Sequence, residues 1–260
     1  MTPDQIDMKR QDVGMRLKAC VNGPRKPSEH PALPVTADDL AREVAGVRAA
    51  GADAAHVHVK NAEGIDTFAA DSLEVVVQGV RSAAPGMPLG VTTGAWALPD
   101  PRDRVAAIEG WRLLPDFASV NWHEDGADDV AAALLRRGVG VEAGLWHDEA
   151  VAAWGRSPLR QRCLRILLEL PDGLDPGGAV EMADQLHRAV RDLSGDALPI
   201  LLHGEGSSCW PVLRHAAALG LPTRIGLEDT LELPDGSPAR GNVELVHRAI
   251  EVIDSAKAGR

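Results

Sequence analysis

The sequence has few cysteines and no long apolar segment. Its 260 residues include three cysteines, Cys20, Cys163 and Cys209, and no two of them have the C-x-x-C spacing of a zinc or redox motif. A disulfide framework requires more cysteines at closer spacing, so we expect the three thiols to be reduced. A membrane-spanning helix requires about 18 consecutive apolar residues, and no such run is present, so we expect a soluble chain.

Clustered positive charge is also missing. The sequence contains 27 Lys and Arg residues against 38 Asp and Glu residues, and its basic residues are dispersed along the chain. An acidic surface repels phosphate backbones and anionic lipids, so neither nucleic acid nor a membrane is an expected partner. Residues 1–13 are polar and lack the apolar core of an export signal, which predicts a cytoplasmic location.

Short apolar runs alternate with longer amphipathic segments from Arg16 to the end, which is typical of repeated βα units around a parallel sheet. We count eight such units. The predicted strands are 16–21, 54–59, 88–92, 117–121, 139–143, 164–168, 199–203 and 223–227. The predicted helices are 37–50, 72–83, 102–111, 127–137, 148–154, 177–193, 208–219 and 242–258.

This pattern predicts a (β/α)8 TIM barrel, because such a barrel typically has about 250 residues. We expect one domain over residues 1–260, with 1–15 as an N-terminal extension, since no low-complexity linker divides the chain. A doubly wound open sheet would give a similar alternation. That fold often carries a glycine-rich phosphate turn after its first strand, and no G-x-G-x-x-G follows Val21.

His56 and His58 lie two residues apart in the second predicted strand. Alternate residues of a strand face the same side, so both imidazoles point together, an arrangement that suits zinc or a similar divalent ion. Glu228 and Asp229, at the end of the eighth predicted strand, are the best-placed carboxylates for a third ligand. The alternatives are a packed histidine beside a polar strand end, and a solvated turn for the two acids.

Other predicted strands also end in polar residues. Thr92, Thr93 and Gly94 close the third strand and offer hydroxyl and backbone N–H donors for a carboxylate. Polar residues also follow the fourth strand at 121–125 and the seventh at 203–207, and Glu142 lies near the end of the fifth. Because the carboxyl ends of barrel strands meet on one face, these clusters indicate a single site.

Six ordered segments, 22–23, 30–36, 56–60, 92–94, 224–229 and 242–246, together resemble the β-keto acid cleavage enzymes. The resemblance implies a (β/α)8 fold, a homotetramer, and a zinc ion on His56, His58 and Glu228. It also implies a reaction in which a β-keto acid and acetyl-CoA give acetoacetate and a new CoA thioester.

The same resemblance implies roles for the remaining site residues. Asp229 would be the catalytic base, with Arg224 beside it, and Thr92 and Thr93 would hold the substrate carboxylate. Zinc and Arg224 would both favour the charged form of Asp229, so we expect an ionised and weak base.

Two departures from the family pattern concern the substrate. Family members continue towards an acidic residue where this chain has Pro24 and Arg25, and an E-x-E pattern appears here as Glu142-Ala-Gly144. We predict that Arg25 and Glu142 contact the substrate. An arginine in place of an acid should disfavour an aminated keto acid and favour an anionic or neutral one.

Two other functions compete with this prediction. Metal-dependent barrel hydrolases also use an H-x-H pair and an acid on the eighth strand, and His123, His147 and His203 are further candidate ligands. In those hydrolases the H-x-H normally closes the first strand, whereas here a full βα unit precedes it. The third possibility is a metal-binding relative without turnover.

Overall fold

The computed structural model describes residues 14–195 and 197–258. Eight parallel strands alternate with eight helices in these residues, which confirms the predicted (β/α)8 TIM barrel. The predicted N-terminal extension, 1–15, lies outside the described residues apart from Gly14 and Met15. No helix among the described residues has the length and apolar character needed to cross a membrane.

The strands, in chain order, are β1 Leu17–Cys20, β2 Ala54–Val57, β3 Leu89–Thr92, β4 Phe117–Asn121, β5 Gly140–Leu145, β6 Arg165–Leu170, β7 Ile200–Gly204 and β8 Thr223–Ile225. The helices are α1 Ala37–Ala49, α2 Ala70–Ala83, α3 Pro101–Gly110, α4 Ala127–Arg136, α5 Asp148–Arg156, α6 Pro176–Ser194, α7 Cys209–Leu219 and α8 Asn242–Ala258. Short 3-10 turns lie at Arg160–Arg162 and Gly206–Ser208.

The strand order β7-β6-β5-β4-β3-β2-β1-β8 brings the two ends of the chain together. β1 pairs with both β2 and β8, with Cys20 opposite His56 and Lys18 opposite Arg224. The edge between β7 and β8 carries a backbone hydrogen bond from the Leu202 N–H to the Pro222 carbonyl, at 3.0 Å. The second and eighth strands, which carry the predicted metal ligands, are therefore separated by one strand only.

The first helix shows why the sequence prediction was close. Thr36 and Asp39 form a capping box in which each side chain accepts a hydrogen bond from the other residue's backbone N–H, both at 3.1 Å. Leu40, Val44 and Val47 recur at helical spacing and are fully buried against the strands. All predicted helices and strands were placed within two residues of their observed bounds.

The difference between predicted and observed bounds that affects the site is at the end of β8. β8 stops at Ile225 rather than 227, because the Gly226 carbonyl accepts turn hydrogen bonds from the N–H groups of Asp229 and Thr230. A Cβ on Gly226 would lie 1.9 Å from the Cys20 carbonyl oxygen, so only glycine allows this approach to β1. Glu228 and Asp229 consequently lie in a tight turn above the strand instead of at its end.

Candidate active site

His56, His58 and Glu228 form one compact group at the carboxyl ends of the strands. One potential ligand atom of each lies within 4.8 Å of the others, and the residues that the structure describes contain no second such group of His, Cys, Asp and Glu. Gly23, with a φ of 59°, packs against the acid, and a Cβ there would lie 2.5 Å from Glu228 Cγ. The turn after β1 therefore needs glycine for Glu228 to approach the histidines.

The protonation states of this group suit a metal. Burial lowers the pKa of His56 to about 3, so its imidazole is neutral. Burial acts to raise the pKa of Glu228, but Arg224 and the two histidines outweigh it and lower that pKa to about 2. Among the described residues, His56 Nδ1 and Glu228 Oε2 are buried without a hydrogen-bond partner.

Two imidazoles and one carboxylate are a common donor set for a catalytic zinc ion, which keeps its fourth position for water or substrate. The buried atoms without partners would otherwise cost free energy, because burying a polar group without a hydrogen bond is unfavourable. The residues present therefore fit a divalent metal. Its identity is a separate question.

A cavity of about 170 Å³ opens beside the three residues. Strands and loops from the whole upper face of the barrel contribute its walls. The lining residues are Pro24, His56, His58, Thr92, Trp96, Ser119, Asn121, Trp146, Glu169, Glu205, Arg224 and Glu228.

Arg224 joins the candidate base to the candidate metal ligand. Its Nε and a terminal nitrogen lie 2.9 and 2.7 Å from Asp229 Oδ1, and the terminal nitrogen lies 3.1 Å from Glu228 Oε1. Asp229 is fully buried and does not line the cavity. Its second oxygen, Oδ2, has no hydrogen-bond partner among the described residues.

The surroundings of Asp229 oppose its ionised form. Burial, together with the neighbouring Glu228 and Glu205 carboxyl groups, raises the pKa of Asp229 to about 8 against the opposing effect of Arg224. When ionised, a carboxylate with a raised pKa is a stronger base than an ordinary one, and Oδ2 is then the atom that takes a proton.

Only some of the hydrogen-bond donors predicted on β3 for a substrate carboxylate are available. Thr92 lines the cavity, and its Oγ1 accepts a hydrogen bond from the Gly94 N–H at 3.1 Å. The Thr93 hydroxyl instead donates to the Ser119 carbonyl at 2.7 Å. Thr92 therefore faces the cavity, while Thr93 and Gly94 use their donors to hold the strand end in place.

Arg25 does not line the cavity but contacts the turns beside it. Its Nε donates to the Leu227 carbonyl at 2.5 Å, and a terminal nitrogen pairs with Glu29 at 3.1 Å. Pro24, the preceding residue, lines the cavity instead. The guanidinium thus ties the turn after β1 to the turn after β8.

Glu142 is held inside the barrel rather than on the cavity wall. Its carboxylate lies 2.7 Å from Lys18 Nζ and 2.6 Å from Arg165 Nε, and the Glu142 and Lys18 side chains are fully buried. Burial acts to raise the pKa of Glu142, but the two cations outweigh it and lower the pKa to about 2. The structure places this predicted substrate residue in an ion-pair cluster of the interior.

Two carboxyl groups lie on the cavity wall: Glu205 belongs to the polar segment 203–207 that was assigned to the site from the sequence, whereas Glu169 was not predicted. A Cβ on Gly144 would lie 3.0 Å from Glu169 Oε1 and 2.4 Å from Asn121 Oδ1, so the glycine of β5 leaves room for the acid of β6. Burial raises the pKa of both carboxyl groups to about 7. The signal that identifies Glu169 is an acid that follows three apolar residues near the end of the buried strand Arg165–Leu170.

His203 connects this wall with the candidate base. Its Nε2 lies 3.3 Å from Glu169 Oε2 and its Nδ1 lies 3.6 Å from Asp229 Oδ1. Burial lowers the pKa of His203 well below its ordinary value, so the ring is neutral. His123 and His147 lie ring to ring at 5.4 Å and do not join the metal group, so none of these three histidines occupies a ligand position.

The beta-keto acid cleavage enzyme family model matches residues 15–132 and 163–259. The chain belongs to this family. The family match excludes 133–162, which contains β5 with Glu142 and Gly144, the region where the sequence departs from the family pattern. Membership favours keto acid cleavage over the hydrolase alternative.

Two curated relatives align with most of the chain. The 3-keto-5-aminohexanoate cleavage enzyme of Fusobacterium nucleatum is 24% identical over 262 residues, covering 91% of this chain and 90% of the relative. The enzyme with the same name from Acetoanaerobium sticklandii is 20% identical over 251 residues, with the same coverage. The family assignment therefore extends over the barrel and not over one motif.

Solved structures support the fold. ObcA, in a ternary complex with a C4-CoA adduct and oxalate, has a TM-score of 0.66 and 20% identity over 87% of this chain. This chain spans 65% of the length of that ObcA chain. A dihydrodipicolinate synthase of Agrobacterium tumefaciens has a TM-score of 0.60 and 16% identity, covering 97% of this chain and 78% of that one.

Proposed function

We propose that this β-keto acid cleavage enzyme is a zinc-dependent acyltransferase. It would combine a β-keto acid with acetyl-CoA to give acetoacetate and a new acyl-CoA. The observation that carries the proposal is the group of His56, His58 and Glu228, which opens onto the cavity beside Arg224 and next to the buried Asp229. Family membership supplies the reaction class.

The overall reaction balances as an exchange of acyl groups. The bond between the keto carbon and the carboxymethyl carbon of the substrate breaks, and the carboxymethyl carbon forms a new bond with the acetyl carbonyl carbon. The thiol of CoA then carries the released acyl group. A proton must leave the carbon between the two carbonyl groups before it can act as a nucleophile.

Asp229 is the proposed base for that proton. Arg224 holds Oδ1, which leaves Oδ2 as the accepting atom. A divalent metal bound at the three ligands would act as a Lewis acid that polarises the ketone and so makes the proton more acidic. Thr92 and the neighbouring polar groups of the cavity, Ser119 and Asn121, would bind the substrate carboxylate.

The size of the cavity limits what binds there. A volume of about 170 Å³ accommodates a small keto acid, whereas a drug-sized ligand typically occupies 300 Å³ or more. Only the thioester end of acetyl-CoA would therefore reach the metal, with the nucleotide outside the cavity. The CoA adduct bound to ObcA makes a CoA substrate plausible for this related fold.

The wall of the cavity bears on the charge of the keto acid. The side chains of Glu169 and Glu205 line the cavity. The Arg25 guanidinium instead donates to the Leu227 carbonyl and pairs with Glu29. We propose that the substrate carries a hydrogen-bond donor at its far end, and an amino group qualifies because a nearby cation favours the ionised form of a carboxyl group. This revises the preference that Arg25 alone suggested.

The proposal also includes a homotetramer, as the family resemblance implies, and the cytoplasmic location predicted from the polar N-terminal segment. Light scattering after size-exclusion chromatography tests the oligomer without any substrate. A monomer would contradict the tetramer and leave the proposed reaction unaffected.

A screen of the purified, zinc-loaded protein tests the reaction. The protein is mixed with acetyl-CoA and a panel of amino, neutral and dicarboxylic β-keto acids, and acetoacetate is measured. Acetoacetate and a new thioester are expected with at least one member. Release of product without acetyl-CoA would indicate a hydrolase, and tight binding without turnover would indicate a relative that has lost the reaction.

A further inference from the structure

The carboxylate of Asp66 lies where three loops of the upper barrel face meet. Its Oδ2 accepts hydrogen bonds from His58 Nδ1 at 2.7 Å and from Trp96 Nε1 at 3.0 Å. Its Oδ1 accepts a hydrogen bond from Lys60 Nζ at 2.7 Å. The Asp66 side chain is 5% exposed, so these contacts are shielded from water. One carboxylate therefore holds a candidate metal ligand and a tryptophan of the cavity wall.

The contact with His58 determines which nitrogen of that ring is free. An ionised carboxylate only accepts hydrogen bonds, so His58 Nδ1 must carry the hydrogen. In the neutral ring Nε2 then keeps its lone pair, and this atom lies 3.8 Å from Glu228 Oε1, inside the proposed ligand group. A carboxylate behind a ligating histidine fixes the tautomer and ring orientation and increases the basicity of the ligand.

The contact with Trp96 determines the shape of the cavity. The indole ring is 50% exposed, yet it stacks on the His58 ring with centroids 5.8 Å apart and an interplanar angle of 14°. A Cβ on Gly94 would lie 2.1 Å from the Trp96 ring, so glycine is required beneath it. A half-exposed side chain is thus fixed by the same oxygen that orients His58.

Lys60 extends the network to the third ligand. Its Nζ also donates to the Gly23 carbonyl at 3.0 Å, and Gly23 is the residue that packs against Glu228. An antiparallel bridge between Lys60 and Asp66 closes the intervening loop. The Asp66 carboxylate is therefore held in place by a buried ammonium group and by the backbone of its own loop.

We propose that Asp66 is a positioning residue that prepares His58 as an Nε2 ligand and, through the same oxygen, places Trp96 over the cavity. Metal affinity and the position of the tryptophan then depend on one carboxylate. The inference rests on the proposed metal site, but it concerns the arrangement of that site and not the reaction.

The first test compares Asp66→Asn with Asp116→Asn. Asp116 is a second aspartate that accepts a hydrogen bond, in its case from the Leu89 backbone N–H at 2.9 Å. It lies at the amino ends of the strands, away from the ligands. Zinc affinity is measured by competition with a chelator. We expect a loss of about 10- to 100-fold for Asp66→Asn and none for Asp116→Asn. Equal affinity of Asp66→Asn and wild type would overturn the proposal.

The second test needs no substitution that could impair folding. Nitrogen-15 NMR of the metal-free wild type identifies which nitrogen of His58 carries hydrogen. We expect the neutral ring to carry it on Nδ1, and a neutral ring with its hydrogen on Nε2 would overturn the proposal. This measurement involves neither metal nor substrate, so it is independent of the proposed reaction. If the tautomer is as expected but the protein cleaves no keto acid, the proposed function is wrong and the role of Asp66 is unaffected.

Quenching by acrylamide tests the second half of the proposal. The signal of Trp96 is obtained as the difference between a protein and its Trp96→Phe counterpart, in wild type and in Asp66→Asn. We expect Trp96 to be quenched more readily in Asp66→Asn, because the single amide oxygen cannot replace the two carboxylate oxygens that accept from His58, Lys60 and Trp96. Equal quenching in both backgrounds would show that Asp66 does not hold the tryptophan.

Discussion

Glu169 occupies space that a side chain at Gly144 would need, with Oε1 3.0 Å from the position of a Cβ on that glycine. The fifth strand therefore lacks an acid at the point where the sixth strand supplies one. The cavity keeps a carboxyl group on this wall although the fifth strand has Gly144 two residues after Glu142. The sixth strand, and not the fifth, supplies this carboxyl group.

This relationship predicts which residue controls substrate charge. Glu169→Gln should lower kcat/KM for an amino β-keto acid by about tenfold or more relative to a neutral one, because a hydrogen bond to a charged group is worth about 1.5 to 3 kcal/mol. Arg25→Ala should leave the ratio unchanged, since Arg25 contacts Leu227 and Glu29. Kinetics with matched substrates check both. A ratio altered by Arg25→Ala and not by Glu169→Gln would reverse the assignment.

The raised pKa of Glu169 predicts a pH dependence of stability. The group titrates at about 7 when folded and near 4.5 when unfolded, so between these values the folded protein holds the extra proton. The contribution of Glu169 to the free energy of unfolding is complete below about pH 4.5 and is lost as the pH rises through about 7. In urea unfolding of the metal-free protein, the free energy of unfolding should vary less with pH over this range for Glu169→Gln than for wild type. Glu149→Gln, at a side chain that is 86% exposed, is the control.

Glu142 is predicted to matter for stability rather than for substrate binding. Glu142→Gln leaves Lys18 and Arg165 without their shared counter-ion inside the barrel, and breaking a buried ion pair typically costs about 3 to 5 kcal/mol. Denaturant unfolding should reveal a loss of this order. A substrate role would instead raise KM while leaving the free energy of unfolding near that of wild type.

The fold was predictable because its signals are local. The capping box of Thr36 and Asp39 and the buried spacing of Leu40, Val44 and Val47 are present in the sequence itself. The alternation of His56 and His58 likewise indicates a shared face without knowledge of the rest of the barrel. These features depend on residues within a few positions of one another.

The rest of the site depends on contacts between distant segments. Glu169 fell just beyond the predicted sixth strand, and its place beside Gly144 results from the pairing of β5 with β6. The sequence does not reveal that Arg25 turns towards Leu227, nor that the loop residue Asp66 reaches His58. The strand pattern left Glu228 and Asp229 as alternatives for the third ligand. The family resemblance favoured Glu228, because its position arises from the turn that begins at Gly226.

Removal of the histidines should remove the metal. We expect about one zinc ion per wild-type chain and a large loss of bound zinc in His56→Ala/His58→Ala, because the remaining carboxylate cannot hold the ion alone. His123→Ala/His147→Ala is the matched control, since both of those rings lie outside the ligand group. Elemental analysis after dialysis provides the measurement. Full metal content in the first variant would mean that the ligands are elsewhere.

Transfer of labelled carbon tests the acyl exchange most directly. The zinc-loaded protein is given acetyl-CoA labelled with carbon-13 in both acetyl carbons and an unlabelled β-keto acid. We expect label in the carbonyl and methyl carbons of acetoacetate and none in the new acyl-CoA. Asp229→Asn should slow this transfer by about 10²- to 10⁴-fold while keeping bound zinc, as expected for the loss of a positioned base. Label recovered only in acetate or in unreacted acetyl-CoA, with the keto acid consumed, would contradict the account.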